Sequence, residues 1–513
     1  MSAVTDAPAT ETPRAIRSLV PARMDRLPWS GFHWRVVIAL GITWVLDGIE
    51  IGLASAMGDT LRHEQTLSLT AETIGLSAAV FLAGEVVGAL YFGRKADQLG
   101  RRRLFIVTLA LYLFANALTA LSWTTWFFVA TRFLAGMGIG GEYAAIHSAI
   151  DELTPAKYRG RVDIAIAGTY WGGAMIAAAA QLVMLDPDII PIDVGWRLAL
   201  LLGPVIGLSI WPLRKFIPES PRWQLTHGYE QEAEATVARI EADLRARGVQ
   251  LDDVDPAHAI VLRRHDIGLV EVGTVLVTKY LRRLFLGATL MITQSFLYNA
   301  IFFTYVLILR DFYDVPSVSV GWYIFPFAAG NLLGPFVLGR FFDTIGRRKM
   351  IAATYCTSAI LLAITAWLFS RDMLTAQTQT MLWCAIFFIA SAAASSAYLT
   401  VSEIFPVEIR AQSIALVFAV AQGVGATAPA IFGAIIGAAK DPATGEVVTR
   451  LPLALAYFGS AAIMFAGGVV AWFFGVDAEQ RSLEDIAPPV TSIGSPHVTP
   501  TDSPTGPHPP GTL

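Results

Sequence analysis

Charged side chains are scarce in this chain. Asp, Glu, Lys and Arg make up 15% of its 513 residues against 54% hydrophobic ones, and the mean hydropathy is +0.55. So little polar surface excludes a water-soluble globule. Cysteine is nearly absent: Cys356 and Cys384 both fall inside apolar runs, which excludes a disulfide framework. No phosphate-cradling glycine loop, metal-ligand cluster or nucleophile constellation occurs, so no enzyme chemistry, metal or cofactor is expected. His147, alone in an apolar run, reads as a packing or hydrogen-bonding residue rather than a ligand.

What is present is a series of apolar runs, each long enough to cross a bilayer, which takes roughly 20 helical residues. They fall at 34–57, 74–92, 104–122, 126–150, 162–184, 197–216, 284–309, 319–338, 350–369, 380–401, 412–437 and 453–475. The expected fold is an all-α membrane protein, twelve transmembrane helices in two pseudo-symmetric six-helix bundles. The segments predicted are an arm (1–33), a first bundle (34–217), a linker (218–283), a second bundle (284–476) and a tail (477–513).

The two halves repeat one another. Gly93, Asp97, Gly100, Arg101, Arg102 and Arg103 recur as Gly339, Asp343, Gly346, Arg347, Arg348 and Lys349, each set joining two apolar runs. Glu152, Pro155 and Arg159 recur likewise as Glu403, Pro406 and Arg410. Both repeats lie about 250 residues apart, so the chain is a duplicated unit. Two copies of one bundle in a membrane imply a transporter, because rocking one against the other exposes a central site to alternate sides.

Net charge, at −4, says little here, but its sidedness is informative. The short loops on one side hold Arg94, Lys95, Arg101, Arg102, Arg103, Lys157, Arg159, Arg161, Arg340, Arg347, Arg348, Lys349 and Arg410. Those on the other hold only Arg62, Arg197, Arg310, Arg371, Lys440 and Arg450. The bias places both termini in the cytosol of a multi-pass protein of the inner or plasma membrane. The first thirty or so residues lack the apolar core of a cleaved signal and read as a soluble cytosolic arm. In the linker, 229–247 aligns Val237, Ile240 and Leu244 on one stripe, pairs Glu241 with Arg245 and stops at Gly248, predicting a helix on the inner membrane surface. From about 487 the tail is rich in Pro, Ser, Thr and Gly, predicting disorder.

Charge inside hydrocarbon costs roughly 2.5–3.5 kcal/mol on insertion scales, so each instance asks for a partner or a function. Asp47, Glu50, Glu85, Arg132 and Glu142 stand out. By helical rise, Glu50 lies about 10 Å deep, Asp47 about 15 Å and Arg132 about 9 Å, so Arg132 is expected to reach either acid. An acid that keeps its charge beside Arg132 and gains a proton when the arginine withdraws would couple proton movement to conformation; a static buried pair is the alternative. Asp47, Glu50, Arg132 and Glu142 are the proton-coupling candidates. Glu85, in Gly84-Glu85-Val86-Val87-Gly88, reads equally as a buried hydrogen-bonding acid on a helix-packing face. In the second half Gln294, Tyr298, Asn299, Asn331, Tyr398, Thr400 and Gln422 are polar and uncharged, suited either to a solute or to helix contacts.

The duplicated loops resemble the cytosolic signature of the major facilitator superfamily. Pro218-Glu219-Ser220-Pro221-Arg222-Trp223, Ser402-Glu403-Ile404-Phe405-Pro406 and Arg481-Ser482-Leu483-Glu484-Asp485-Ile486 are similar to its sugar-porter pattern, covering about residues 34–486. The resemblance implies a latch of Asp97, Arg101, Arg102, Glu152, Arg159, Asp343, Arg347, Arg348, Glu403 and Arg410, and a coupling pair of Asp47 with Arg132. Departures bear on the solute. Thr293-Gln294-Ser295-Phe296-Leu297-Tyr298-Asn299-Ala300 keeps only part of the sugar-porter run, Tyr398 stands at its Trp position, and Thr169, Tyr170 and Trp171 stand where glutamines are usual. A hexose needs many hydroxyl partners, so these losses argue against an ordinary sugar. Gly140-Gly141-Glu142-Tyr143 resembles the metabolite:proton symporters.

The sequence therefore predicts a secondary transporter of a small polar metabolite (organic acid, osmolyte or sugar-like solute), coupled to a proton. Gln294, Tyr298, Asn299, Tyr398, Gln422, Tyr170 and Trp171 are the candidate solute ligands. Solute, proton and lipid bilayer are the expected partners, nucleic acid is not, and a proton-independent facilitator and a membrane solute sensor are the rival readings.

Overall fold

A computed structural model describes residues 16–210, 212, 217–262, 269–315, 320–440 and 447–490. The proline-rich stretch after 490, for which disorder was predicted, lies outside the described residues, as do 1–15 of the arm. Twelve membrane spans follow in order. Spans 1–6 are Gly31–Ala56, Ala71–Leu99, Arg101–Ala120, Thr125–Leu153, Arg159–Gly168 continuing as Tyr170–Met184, and Ile192–Ile210. Spans 7–12 are Leu281–Tyr313, Val320–Thr344, Arg347–Ser370, Ala376–Glu403, Arg410–Gly425 continuing as Ala428–Ala438, and Leu451–Phe474. Several helices outrun their apolar runs because the charged ends at Asp97, Glu152, Arg159, Asp343, Glu403 and Arg410 stay helical and pair with one another.

Within each half the same pairs pack: 2 on 4 and 8 on 10, 1 on 5 and 7 on 11, 3 on 6 and 9 on 12. Between halves, span 2 meets span 11 and span 5 meets span 8, contacts exchanged by the internal repeat. Spans 2 and 4 approach closely. A Cβ on Gly84 or Gly88 would overlap the backbone of Phe133 or Met137, and one on Gly136 or Gly140 that of Phe81 or Glu85, so the helices touch backbone to backbone. Gly100 and Gly346 take φ of 97° and 116°, conformations suited to glycine, and there turn spans 2 and 8 into spans 3 and 9. Exposed Trp123, Trp126 and Trp322 ring one end and Trp34 and Trp472 the other, as interfacial anchors do.

The arm is not free. Strand β1 (Ile16–Ser18) pairs antiparallel with β2 (Ile260–Leu262) of the linker, with Ile16 opposite Leu262. The following helix, Val20–Asp25, buries Val20 and Met24. The linker helix Glu230–Ala246 buries Val237, Ile240 and Leu244, but Glu241 binds Arg23 (2.9 Å) and Arg26 (2.6 Å) of the arm more closely than Arg245 (3.8 Å). Burial alone would raise the Glu241 pKa; hydrogen bonds from Arg23 and Arg26 outweigh it and hold the carboxyl below its ordinary range. Arm, linker and the short helix Leu483–Ile486 thus form one cap at the end where span 1 starts and span 12 stops.

Candidate functional site: a cavity closed by a charge latch

At the capped end the halves are joined by two matching clusters. Asp97, at the end of span 2, accepts the backbone N–H groups of Ala411 (3.3 Å) and Gln412 (2.9 Å) that open span 11. Asp343, at the end of span 8, accepts those of Gly160 (3.2 Å) and Arg161 (2.9 Å) that open span 5. Each carboxylate satisfies free donors at the positive end of a helix dipole in the opposite bundle. Arg101 holds Asp97 (3.0 Å) and Glu152 (3.0 Å), and Glu152 takes Arg410 (3.2 Å) from the other half. Arg347 holds Asp343 (2.7 Å) and Glu403 (3.0 Å), with Arg159 at 3.7 Å from Glu403.

Two latch candidates stand outside this network. Arg102 is exposed and gives only its backbone N–H, to Glu219; Arg348 lies over the Trp472 ring at 5.6 Å. Helix geometry explains both: the residue after Arg101 or Arg347 is turned by about 100° from it, away from the facing bundle. Four groups the sequence did not assign join instead. Asp25 of the arm pairs with Arg159 (3.3 Å) and Arg222 (2.8 Å), and Arg222 also binds Glu484. Burial alone would weaken the Arg222 charge, yet Asp25 and Glu484 raise its pKa above the ordinary value. Glu219 accepts the Arg101 N–H at 2.8 Å, and burial pushes its carboxyl upward.

Beyond the latch lies a cavity of about 660 Å³ between the bundles, reaching Met57, Gly58 and Ile74 at the opposite end. All seven proposed solute ligands line it: Tyr170 and Trp171 from span 5, Gln294, Tyr298 and Asn299 from span 7, Tyr398 from span 10 and Gln422 from span 11. Aromatic rings cluster on one part of the wall. Trp171 sits 5.8 Å from Tyr298, 5.6 Å from Phe302 and 5.6 Å from Phe327, centre to centre. Tyr298 donates to Asn331 (3.0 Å), and Ser295 to Gln422 (2.7 Å).

Arg132 lines the cavity over the Phe81 ring (4.2 Å), but its ion pair is with Glu50, not Asp47. Glu50 lies one turn nearer the Arg132 end of span 1, so the shorter reach wins. Asp47, Glu50 and Glu142 are buried behind the wall rather than on it, and Asp47 Oδ1 has no hydrogen-bond partner among the described residues. The acid that does line the cavity is Glu85, which accepts from Gln422 Nε2 (2.9 Å) across the bundle interface. Gly84 and Gly88 face span 4 and bring the helix in close; Glu85, about 100° round from Gly84, is turned to the cavity. Two further buried acids, Asp151 and Asp163, also escaped the sequence reading.

The family model described as "Sugar (and other) transporter" matches residues 34–488. A niacin transporter of Acinetobacter baylyi is 29% identical over 232 residues, 45% of this chain and 50% of that protein. A putative metabolite transport protein of Escherichia coli is 26% identical over 426 residues, 80% of this chain and 86% of its own. The chain thus matches about half the length of the former and most of the latter. In structure it is similar to the proton:xylose symporter bound to 6-bromo-6-deoxy-D-glucose, with a TM-score of 0.72 at 18% identity, covering 89% of this chain and 98% of that one. That likeness bears on the fold, that of the major facilitator superfamily.

Proposed function

We propose, from the premise that this chain belongs to the sugar (and other) transporter family, that it moves a small polar metabolite together with a proton by alternating access. One observation carries the reading: residues from both bundles converge on a single cavity that is shut at one end by cross-bundle ion pairs. The basic loops support a cytosolic position for the shut end, which makes this the outward-facing state. Solute held between Trp171, Tyr298, Tyr398 and Gln422 touches both halves and links their movement. Release of the latch then opens the cytosolic side.

Trp171, with Tyr298, Phe302 and Phe327 around it, gives the wall a broad aromatic face, which favours a compact amphipathic solute over a hexose. Similarity to a niacin transporter supports that class. For the proton, Asp47, Glu50, Glu85 and Glu142 are buried in the first bundle, and the ion pair of Arg132 is with Glu50, so acid capacity at that depth exceeds the fixed positive charge. Arg132 exchanging between Glu50 and a neighbour would transfer that deficit from one carboxylate to another.

The test is uptake by proteoliposomes of radiolabelled nicotinate, glycine betaine, myo-inositol and xylose, with and without an inward proton gradient. Accumulation of one of them that collapses with the gradient supports symport. Equilibration indifferent to the gradient would leave a facilitator, and binding without uptake of any would favour a sensor.

A further inference from the structure

Between the cavity floor and the latch lies a buried pair that the proposed mechanism does not use. His147 Nδ1 of span 4 sits 2.8 Å from Asp163 Oδ1 of span 5, and both side chains are wholly shielded from solvent. One turn further along span 4 is Asp151, also fully buried. His147 Nε2, Asp163 Oδ2 and both Asp151 oxygens have no hydrogen-bond partner among the described residues. Three titratable groups at membrane depth with capacity to spare are more than helix register requires.

The surroundings show what controls access to them. The Tyr398 ring of the second bundle lies flat on His147, 5.0 Å between centroids and 8° between planes. Trp44 meets the same imidazole edge-on at 5.6 Å. Trp44, Tyr143 and Tyr398 line the cavity, so this aromatic layer forms its floor, with His147 directly beneath. On the other side Asp151 feels Asp163, Glu403, Arg159 and Arg410, which connects the cluster to the latch. Along span 1, Asp47 is one turn from Trp44.

We infer that His147, Asp163 and Asp151 form a proton-binding site, covered by Tyr398 while the latch is closed and opened to water when the bundles part at the capped end. The inference rests on the alternating-access reading. His147 and Asp163 belong to the same bundle and stay together during rocking; Tyr398 belongs to the other and leaves. With one proton more, the pair is imidazolium beside carboxylate, neutral overall; without it, the pair buries a net negative charge. The dry, closed state therefore favours the loaded pair, and hydration on opening lets the proton go. Low pH is thus expected to favour the closed latch and high pH the open one. One linked proton sets a limit of about tenfold per pH unit in the closed-to-open ratio.

The experiment uses the full chain in lipid nanodiscs, with Cys356 and Cys384 replaced by Ser and spin labels at Arg103→Cys and Lys349→Cys, exposed sites at the starts of spans 3 and 9. The open population should rise at least about threefold between about pH 5 and 8, and His147→Gln and Asp163→Asn should each flatten that rise. A pH-dependent profile that both variants leave unchanged overturns the inference. Histidine ring-nitrogen NMR needs neither solute nor opening. Among the chain's eight histidines, the signal lost in His147→Gln should pass from one-proton to two-proton form as pH is lowered, and should cease to do so in Asp163→Asn. A one-proton signal throughout sinks the site even if symport stands. Titration of this ring without any opening would keep the site and count against alternating access.

Discussion

Replacing Asp97 by Asn tests the latch at its most economical point. The carboxylate makes two kinds of contact. Its pairing with Arg101 (3.0 Å) lies within the first bundle and survives opening. Its bonds to the Ala411 and Gln412 N–H groups cross to the second bundle and exist only while the latch is closed. Only the second kind biases the conformational equilibrium. An amide oxygen still accepts one of those bonds, but without charge, and loses the interaction with the positive end of span 11. A charge-assisted bond is about twice as strong as a neutral one, and a carboxylate at a partly buried helix N-terminus contributes roughly 0.3–2 kcal/mol. The expected loss is therefore about 1–2 kcal/mol of closed-state preference, or roughly 5–30-fold in the closed-to-open ratio. The Arg103/Lys349 spin-label pair reads that ratio directly. Asp343→Asn, which loses the equivalent bonds to Gly160 and Arg161, should shift it by a similar factor. A distance distribution unchanged by either substitution would refute the capping argument, because both remove charge from bonds that the open state lacks.

Other expectations follow from the same contacts. Asp47→Asn, which mimics the protonated acid, should abolish gradient-driven accumulation in proteoliposomes while sparing solute exchange; normal accumulation would remove Asp47 from coupling. Gln422→Ala should destabilise the protein by about 1–3 kcal/mol, since it strips the partner from buried Glu85, and adding Glu85→Gln should recover part of that loss in a double-mutant thermal-unfolding cycle. Simple additivity would deny the coupling. The Glu241 carboxyl is lowered on folding from an ordinary value of 4.5, so its contribution to holding the arm is complete above that pH and is lost as pH falls through the lower folded value. Hydrogen exchange of residues 16–30 should accordingly quicken on acidification below about pH 4.5 in the parent, and be fast already at neutral pH in Glu241→Gln.

Much of the site was legible because duplication marked it. Asp97 and Asp343 could be paired across the halves by sequence alone, and the seven polar residues assigned to the solute all reach one cavity. What escaped detection did so for identifiable physical reasons. Glu85 was ambiguous because its flanking glycines announce helix packing, and packing on one face does not reveal what the next face meets. Asp151 and Asp163 sit at the edges of apolar runs, where a carboxylate looks like the end of a span; only the overlap of spans 4 and 5 buries them. The arm's pairing with 260–262 joins segments of three residues too short to show periodicity. Choice of partner for Arg132 was a matter of about one helical turn, finer than depth counting resolves.

The crossed arrangement of Asp97 and Asp343 constrains how such a molecule moves. Every bundle supplies one hook and one eye, so the fastening has no hinge side: rotating either half loads both attachments together. Partial release would strand a carboxylate and two amide donors in a dry seam, a configuration of higher energy than either end state. Movement should therefore be switch-like, with little time spent between a fully sealed and a fully parted inner face.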